Sequence, residues 1–456
     1  MIYKNLFKPK SIAVIGASRD KNSVGYGLVE NLKSGSVLKA FVCKGFRGDI
    51  YPVNPNVDYI LGLKCYPSVL KIKDEIDLAI IAVPAKIVLK VLQECARKKI
   101  NVVIIISSGF AELGNKGKKM QDEIVSFAKT KGIRILGPNC LGFIRPAANL
   151  NASFAPSTPL AGNVAFISQS GALADSVIDW AIQNEYGFSF LVSYGNQADL
   201  DVSDFLEFAM KDEKTKGIAI YLEWLKNGRR FMEVAKRVSK VKPIIVIKAG
   251  KHEKGIKAVS SHTGSLASEY EIYKAAFRQS GVHVVDTVEE LLDAAKILSM
   301  FNKIENNVAV VTNGGGCGVL AADYCQELGI NLVELRDSTI KKLDKSGVMH
   351  PAYNRRNPLD IVGDALADRY RVAIETLLAE NYISGLIVIQ TLQTMTQGAE
   401  NARVVIEAVK KFKKPIICSF LGGYFTKGPV RLLTEAGIPN FDDVKKAVKV
   451  MSVLVE

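Results

Sequence analysis

Histidine is scarce in this sequence, with four residues in 456. One of them, His262, sits in the stretch AVSSHTGSLA among Ser260, Ser261, Thr263 and Gly264. No second His and no Cys stands near it in sequence, so the spacing does not suggest a metal ligand,. Small neighbours leave an imidazole accessible, and near pH 7 a neutral imidazole is a nucleophile toward phosphorus. The chemistry open to such a residue is to carry a phosphoryl group. Two further stretches supply what that would need. In ISQSGALA, residues 167–174, Ser168, Ser170 and Gly171 stand where an apolar run gives way to a helical pattern. Amides and hydroxyls at a helix N-terminus stabilise a dianion, and the same serines can equally serve as plain helix caps. The position two before Ser170 is Ser168 and not Gly, and no acid–His order accompanies it, so Ser170 reads as an anion binder and not a nucleophile,. In IAIYLEW, Glu223 directly follows an apolar run. A carboxylate there is costly without a partner. The partner is either a surface cation or an imidazole whose tautomer the carboxylate fixes. His252, His283 and His350 lack such surroundings.

Two more turns carry polar groups. GASRDKNSVGYG follows a strand pattern and opens a helical one near Val24, which suits a phosphate,. Gly16, Gly25 and Gly27 are too widely spaced for the dinucleotide fingerprint, and the second strand ends YPVNPN without the acid that grips an NAD ribose,. A longer loop suits a bulkier nucleotide phosphate such as that of coenzyme A; a plain strand-to-helix turn is the other reading. In LGPNCLGF, residues 136–143, Pro138 stiffens the turn, Asn139 offers both donor and acceptor, and Cys140 fits a small buried position,.

Positioning these turns requires strands and helices in alternation, and the chain supplies them. Continuous apolar runs such as SIAVIG, LAIIAVP, VVIIIS, VAFIS, PIIVIKAG, VAVVT and PIICSF are the pattern of parallel strands buried on both faces,. Gly, Ser, Asn or Pro follows nearly every one, at the strand ends where such folds bind ligands. The expected fold class is α/β. A Rossmann-like coenzyme A-binding domain over 1–136 precedes two flavodoxin-like domains over 137–300 and 301–456. The last two rest on an internal repeat: GNVAFISQSGALADSVIDWA parallels NNVAVVTNGGGCGVLAADYC, and KPIIVIKAG parallels KPIICSFLGG,. The stretch SMFNKIENN marks their boundary, and SGVMHPAYNRRNPLD reads as a surface loop. His262 is expected on a loop, KHEKGIKAVSSHTG, that leads into a helix near Ser265.

The bulk numbers narrow the class. A chain of 456 residues is too long for one core,. The formal charge of +14 is spread along the chain without a nucleic-acid motif, so phosphorylated ligands or an acidic partner fit better than nucleic acid,. Seven scattered cysteines without a CxxC argue against a disulfide framework or zinc and suit a reducing cytosol,. No apolar run reaches a membrane span, and the N-terminus enters a strand pattern almost at once, so a cytoplasmic chain without signal peptide or membrane contact is expected,.

Taken in order, GAS…SVG…VNP, GPNCLG, ISQSGALA, YLE and SSHTGSLA closely resemble the alpha subunits of ADP-forming acyl-CoA synthetases, in the succinyl-CoA synthetase superfamily, over essentially the whole chain. The resemblance implies that His262 is phosphorylated, that Glu223 steadies it, and that Ser170 and Gly171 hold the phosphate. It places Gly16, Ser18, Arg19, Ser23, Gly25, Val53, Asn54, Pro55, Ser107 and Ser108 on turns lining coenzyme A, and Asn139 and Cys140 near the thioester. Where succinyl-CoA synthetases carry a Lys and a Glu on those turns, this sequence has Val57 and Ser108. The implied reaction turns acyl-CoA, most commonly acetyl-CoA, with phosphate and ADP into a small carboxylic acid, ATP and CoA. ADP or ATP with Mg²⁺ would bind mainly on a separate ATP-grasp beta subunit in an alpha2beta2 heterotetramer. No metal is expected on this chain. A non-catalytic coenzyme A-binding or acyl-sensing protein is the alternative, and a dehydrogenase, which would bind NAD, is a third.

Overall fold

The structure is a computed structural model that describes residues 2–37, 44–184, 186–263 and 270–455, without the side chains of 2–3 and 260–263. The chain divides into two compact units, Met1–Ser299 and Met300–Glu456.

The first unit opens with β1 (Ser11–Ile15), β2 (Asp49–Val53), a small hairpin of β3 (Tyr59–Ile60) and β4 (Leu63–Lys64), then β5 (Leu78–Ile81), β6 (Val102–Ile105) and β7 (Arg134–Leu136). The order β2-β1-β5-β6-β7 is parallel throughout. Every residue of β1, β5 and β6 is buried, as their unbroken apolar sequences require,. Ile15 pairs with both Val53 and Ile81, so the turns after these strands gather at one edge.

The same unit continues with β8 (Gly142–Arg145), β9 (Leu150–Ser153), β10 (Leu160–Ser168), β11 (Gly187–Ser193), β12 (Gly217–Leu222), β13 (Ile244–Lys248) and β14 (Val282–Val284). They order as β14-β13-β12-β10-β11-β8-β9, with β8 and β9 antiparallel at one side. Ser168 is level with Ser193 and Tyr221, and Leu222 with Lys248, which sets four polar strand ends on one rim. One hydrophobic cluster runs from Ile12, Val14, Ile80 and Ile104 of the first sheet to Ile167, Val192 and Ile220 of the second. It fixes the two sheets relative to each other.

The second unit carries β15 (Val308–Thr312), β16 (Leu359–Asp360), β17 (Gly385–Gln390) and β18 (Ile416–Phe420), parallel in the order β16-β15-β17-β18. The α/β class and its parallel strands thus match the sequence reading. No helix among the described residues is long and apolar enough to cross a membrane.

One local expectation changes. The loop expected from Lys251 to His262 is a helix over Glu253–Thr263, so the backbone of His262 lies in a last helical turn. Val259 anchors it by packing against Gly250, and Lys257 pairs with Glu253 one turn away,. The Val259 contact and this pair within the helix offset the low helix propensity of Gly255 and the β-branched and hydroxylated residues,. The helix lies against the turn Ala111–Leu113. The expected helix start near Ser265 falls outside the described residues, as does the His262 side chain.

Candidate active site

β10 ends at Ser168, and the chain turns through Gln169 and Ser170 into a helix over Gly171–Gln183. The turn is built by its own side chains. Ser168 Oγ accepts from the Ser170 N–H at 3.2 Å and donates to the Ser170 carbonyl at 2.7 Å. Ser170 is the N-cap, with its Oγ accepting from the Leu173 N–H at 3.3 Å. No acidic residue occupies the first turn, so the positive end of the helix is unopposed by its own side chains,.

Gln169 is held just as firmly. Its Oε1 accepts from the N–H groups of Glu223 at 2.8 Å and Trp224 at 3.1 Å. That fixes the amide orientation and leaves the buried Nε2 without a partner,. Gln197 is the mirror case: Nε2 donates to the Trp224 carbonyl at 3.2 Å, and the buried Oε1 is unpaired. A donor and an acceptor, both desolvated, therefore await a polar ligand on either side of Trp224.

These groups line one cleft of about 1230 Å³, together with Ser107, Ser108, Asn139, Cys140, Ser170, Gly171 and Glu223. Seven of the residues singled out in the sequence thus meet at one site. Asn139 follows a cis Gly137–Pro138 bond and has φ 57°. Its N–H donates to the Ser107 carbonyl at 3.0 Å, tying the second sheet's entry to the end of β6. Its Nδ2 donates to Asn196 Oδ1 at 3.3 Å, and Asn196 in turn donates to Glu112 and Gln121 at 2.6 and 3.0 Å. Burial pushes the Glu112 carboxyl up, but the bonds from Asn196 and from the Gly109 and Phe110 amides outweigh it and hold it below its ordinary value,. Cys140 donates to the Ile105 carbonyl at 3.4 Å, and burial pushes its thiol well above the ordinary range, so it packs the site and is no nucleophile,.

The other residues assigned to coenzyme A form a second cluster, at the ends of β1 and β2. The Gly16 N–H donates to the Val53 carbonyl at 3.1 Å, Asn54 Nδ2 to the Ala17 carbonyl at 2.8 Å, and Arg19 Nε to the Tyr59 carbonyl at 2.8 Å. Pro55 follows Asn54 in the same turn. Ser18 Oγ accepts from the Asp20 N–H at 3.0 Å, and Ser23 caps the helix over Val24–Ser34. Gly16 has φ 94°, and a Cβ at Gly25 would overlap the Gly16 carbonyl oxygen. Those two glycines let the helix approach the strand end closely. None of this cluster lines the cleft; Val24, next to Ser23, does.

Three further titrations are displaced in this region. Burial raises Asp175, one turn into the Gly171–Gln183 helix, to about 6, and its Oδ1 is buried and unpaired. Burial raises Tyr221 to about 12, assisted by the charge of Glu223 and a hydrogen bond to it. Burial lowers Lys248 to about 8, opposed by Glu223. The sequence reading missed Gln169, Asp175, Asn196, Gln197 and Lys248. Lys248 carried the signal that revealed Glu223, a charge closing the apolar run of PIIVIKAG; the amides carried none. Among the described residues no group of His, Cys, Asp and Glu is arranged to hold a metal.

Comparison with known proteins follows the same architecture. A CoA binding domain model matches residues 10–146, a succinyl-CoA ligase like flavodoxin domain model 161–298, and a ligase-CoA domain model 308–454. The chain is 44% identical over 451 residues to acetate–CoA ligase [ADP-forming] I of Archaeoglobus fulgidus, covering 99% of this chain and 63% of that protein. It is 44% identical over 461 residues to the alpha subunit of acetate–CoA ligase [ADP-forming] I of Pyrococcus furiosus, covering 100% of this chain and 97% of that subunit. A solved structure of dinucleotide forming acetyl-coenzyme A synthetase 1 from Ca. Korarchaeum cryptofilum, in complex with phosphate and ADP, superposes with a TM-score of 0.92 at 39% identity, covering 100% of this chain and 96% of that one.

Proposed function

The chain belongs to the family of ADP-forming acetate–CoA ligase alpha subunits, and from that premise we propose that it converts acyl-CoA, phosphate and ADP to a carboxylic acid, ATP and CoA. Acetyl-CoA is the substrate that its relatives' names favour. The observation that carries the reading is the common cleft. A helix N-terminus free of acidic side chains and the carboxylate of Glu223 line it, and the helix over Glu253–Thr263 packs against the turn Ala111–Leu113, whose Ala111 is part of the cleft wall.

A phosphate oxygen attacks the thioester carbon, and the C–S bond breaks to give an acyl phosphate and the CoA thiol. The unprotonated imidazole nitrogen of His262 then attacks phosphorus, and the carboxylate leaves with its bonding pair. A terminal oxygen of ADP takes the phosphoryl group from the imidazole and regenerates it. Glu223 orients the imidazole by accepting its other N–H, and the amides of the helix after Ser170 offset the dianion. Two desolvated amides, Gln169 Nε2 and Gln197 Oε1, suit the carbonyl and amide groups of an acyl-pantetheine arm,. The Gly16 turn and the Ser23-capped helix suit its nucleotide phosphates,.

Relatives named as alpha subunits support a separate partner, and we assign it as an ATP-grasp beta subunit holding ADP with Mg²⁺ in a cytoplasmic alpha2beta2 complex. Incubation of that complex with γ-labelled ATP tests the reading. The label should be acid-labile and base-stable, and His262→Ala should abolish it while coenzyme A still binds. Label that persists in the variant refutes the relay; coenzyme A binding with no label in the wild type favours an acyl sensor.

A further inference from the structure

Lys248 closes β13, and the residue is 3% exposed. A buried ammonium is expensive unless an anion pairs with it. Among the described residues none does so at contact distance. Its Nζ donates to the Ala249 carbonyl and lies 4.5 Å from the centre of the Tyr273 ring. Register places Lys248 level with Leu222, the last residue of β12, and Glu223 follows it directly in the chain. Among the described residues, the charge of Glu223 favours the ammonium, and no ion pair joins the two. The remaining groups are phenols. Burial raises the Tyr221 and Tyr194 hydroxyls, with the charge of Glu223 adding to both, and Tyr273 Oη accepts from the Leu225 N–H at 3.2 Å. Phenols are ordinarily neutral near pH 7, so the rim holds the buried Lys248 ammonium and the buried Glu223 carboxylate without an ion pair between them.

We propose that Lys248 is a positioning residue of the phosphoryl relay. Its ammonium is a fixed counter-charge that favours the ionised Glu223 and offsets the dianion when His262 is phosphorylated. The inference rests on the relay assigned to His262 and Glu223. A separated pair explains why the protein keeps a desolvated lysine there: the free half of its charge is matched only in the loaded state. It also explains why Glu223 and an incoming dianion tolerate each other, since a carboxylate alone would repel the phosphate.

The test uses the full chain assembled with its beta subunit, comparing wild type, Lys248→Met and Lys248→Arg. The readouts are the level of acid-labile, base-stable label from γ-labelled ATP and the pH profile of ATP formation from pH 6.5 to 10. Lys248 titrates at about 8, so the cation is lost as pH rises and the wild-type rate should fall through that value. Lys248→Arg should remain charged and keep its rate to pH 10. Lys248→Met should lower the label on the order of 10- to 100-fold and flatten the alkaline limb. A purely structural lysine would change stability without moving the limb. If Lys248→Arg keeps a break near pH 8, or a folded Lys248→Met labels like the wild type, Lys248 has no part in the relay. A wild-type complex that never acquires label sinks the relay itself, which is a distinguishable failure. Should Lys248→Met fail to assemble, the Lys248→Arg profile decides alone.

Discussion

Asp175 offers a stability test that needs no substrate. Its carboxyl titrates at about 6 instead of 3.8 because burial in the cleft wall disfavours its charge,. A raised folded-state value favours the protonated form, so this group's contribution is best at low pH and is lost as pH rises toward and through about 6,. At pH 7.5 the ionised carboxylate is a burden on the fold. The displacement of about two units would be worth roughly 3 kcal/mol at full effect. The side chain is only partly buried, and solvent screening reduces this to about 1–2 kcal/mol. Asp175→Asn keeps the shape and removes the charge. It should therefore raise the thermal midpoint of the first unit, Met1–Ser299, at pH 7.5 by about 2–3 °C,. At pH 4.5 the gain should shrink to about a third, because the folded wild type is then protonated while the unfolded chain is still mostly ionised. Scanning calorimetry of both proteins at the two pH values measures this. A variant no more stable than the wild type at pH 7.5, or equally stabilised at both pH values, would refute the desolvation argument.

Other expectations follow from single contacts. Ser170→Ala removes an N-cap and should cost about 1 kcal/mol in thermal or urea unfolding. Ser23→Ala loses a cap of the same kind, yet only Ser170→Ala should also reduce phosphohistidine label. Gly25→Ala forces a methyl into the Gly16 carbonyl, and coenzyme A affinity by calorimetry should fall at least tenfold as the helix is pushed off the strand end. Cys140→Ser keeps a donor toward the Ile105 carbonyl, so the turnover rate should stay within about threefold of wild type, which a thioester-forming cysteine would not allow.

The sheets were legible in the sequence because parallel strands buried on both faces cannot alternate; SIAVI, LAII and VVII leave no polar position to misread. The ends of those runs located Ser168, Ser170 and Glu223, since a polar residue just after a buried strand must be satisfied or used. Lys248 obeyed the same logic and was passed over as the last residue of a strand. Gln169, Asn196 and Gln197 could not be singled out, because a neutral amide gains its meaning only from the bonds that fix its orientation. Asp175 depends on which way one turn of helix faces. The helix over Glu253–Thr263 was unreadable for a different reason: its own residues favour it weakly, and the contact of Val259 with Gly250 arises only once the chain has folded,.

The decisive measurement is a rapid-quench time course on the assembled complex given acetyl-CoA, labelled phosphate and ADP, with the modified peptide mapped by mass spectrometry. Phosphate should appear on the His262 peptide before ATP accumulates and leave it at the rate ATP forms. ATP forming while that peptide stays unmodified at every time point would contradict the account.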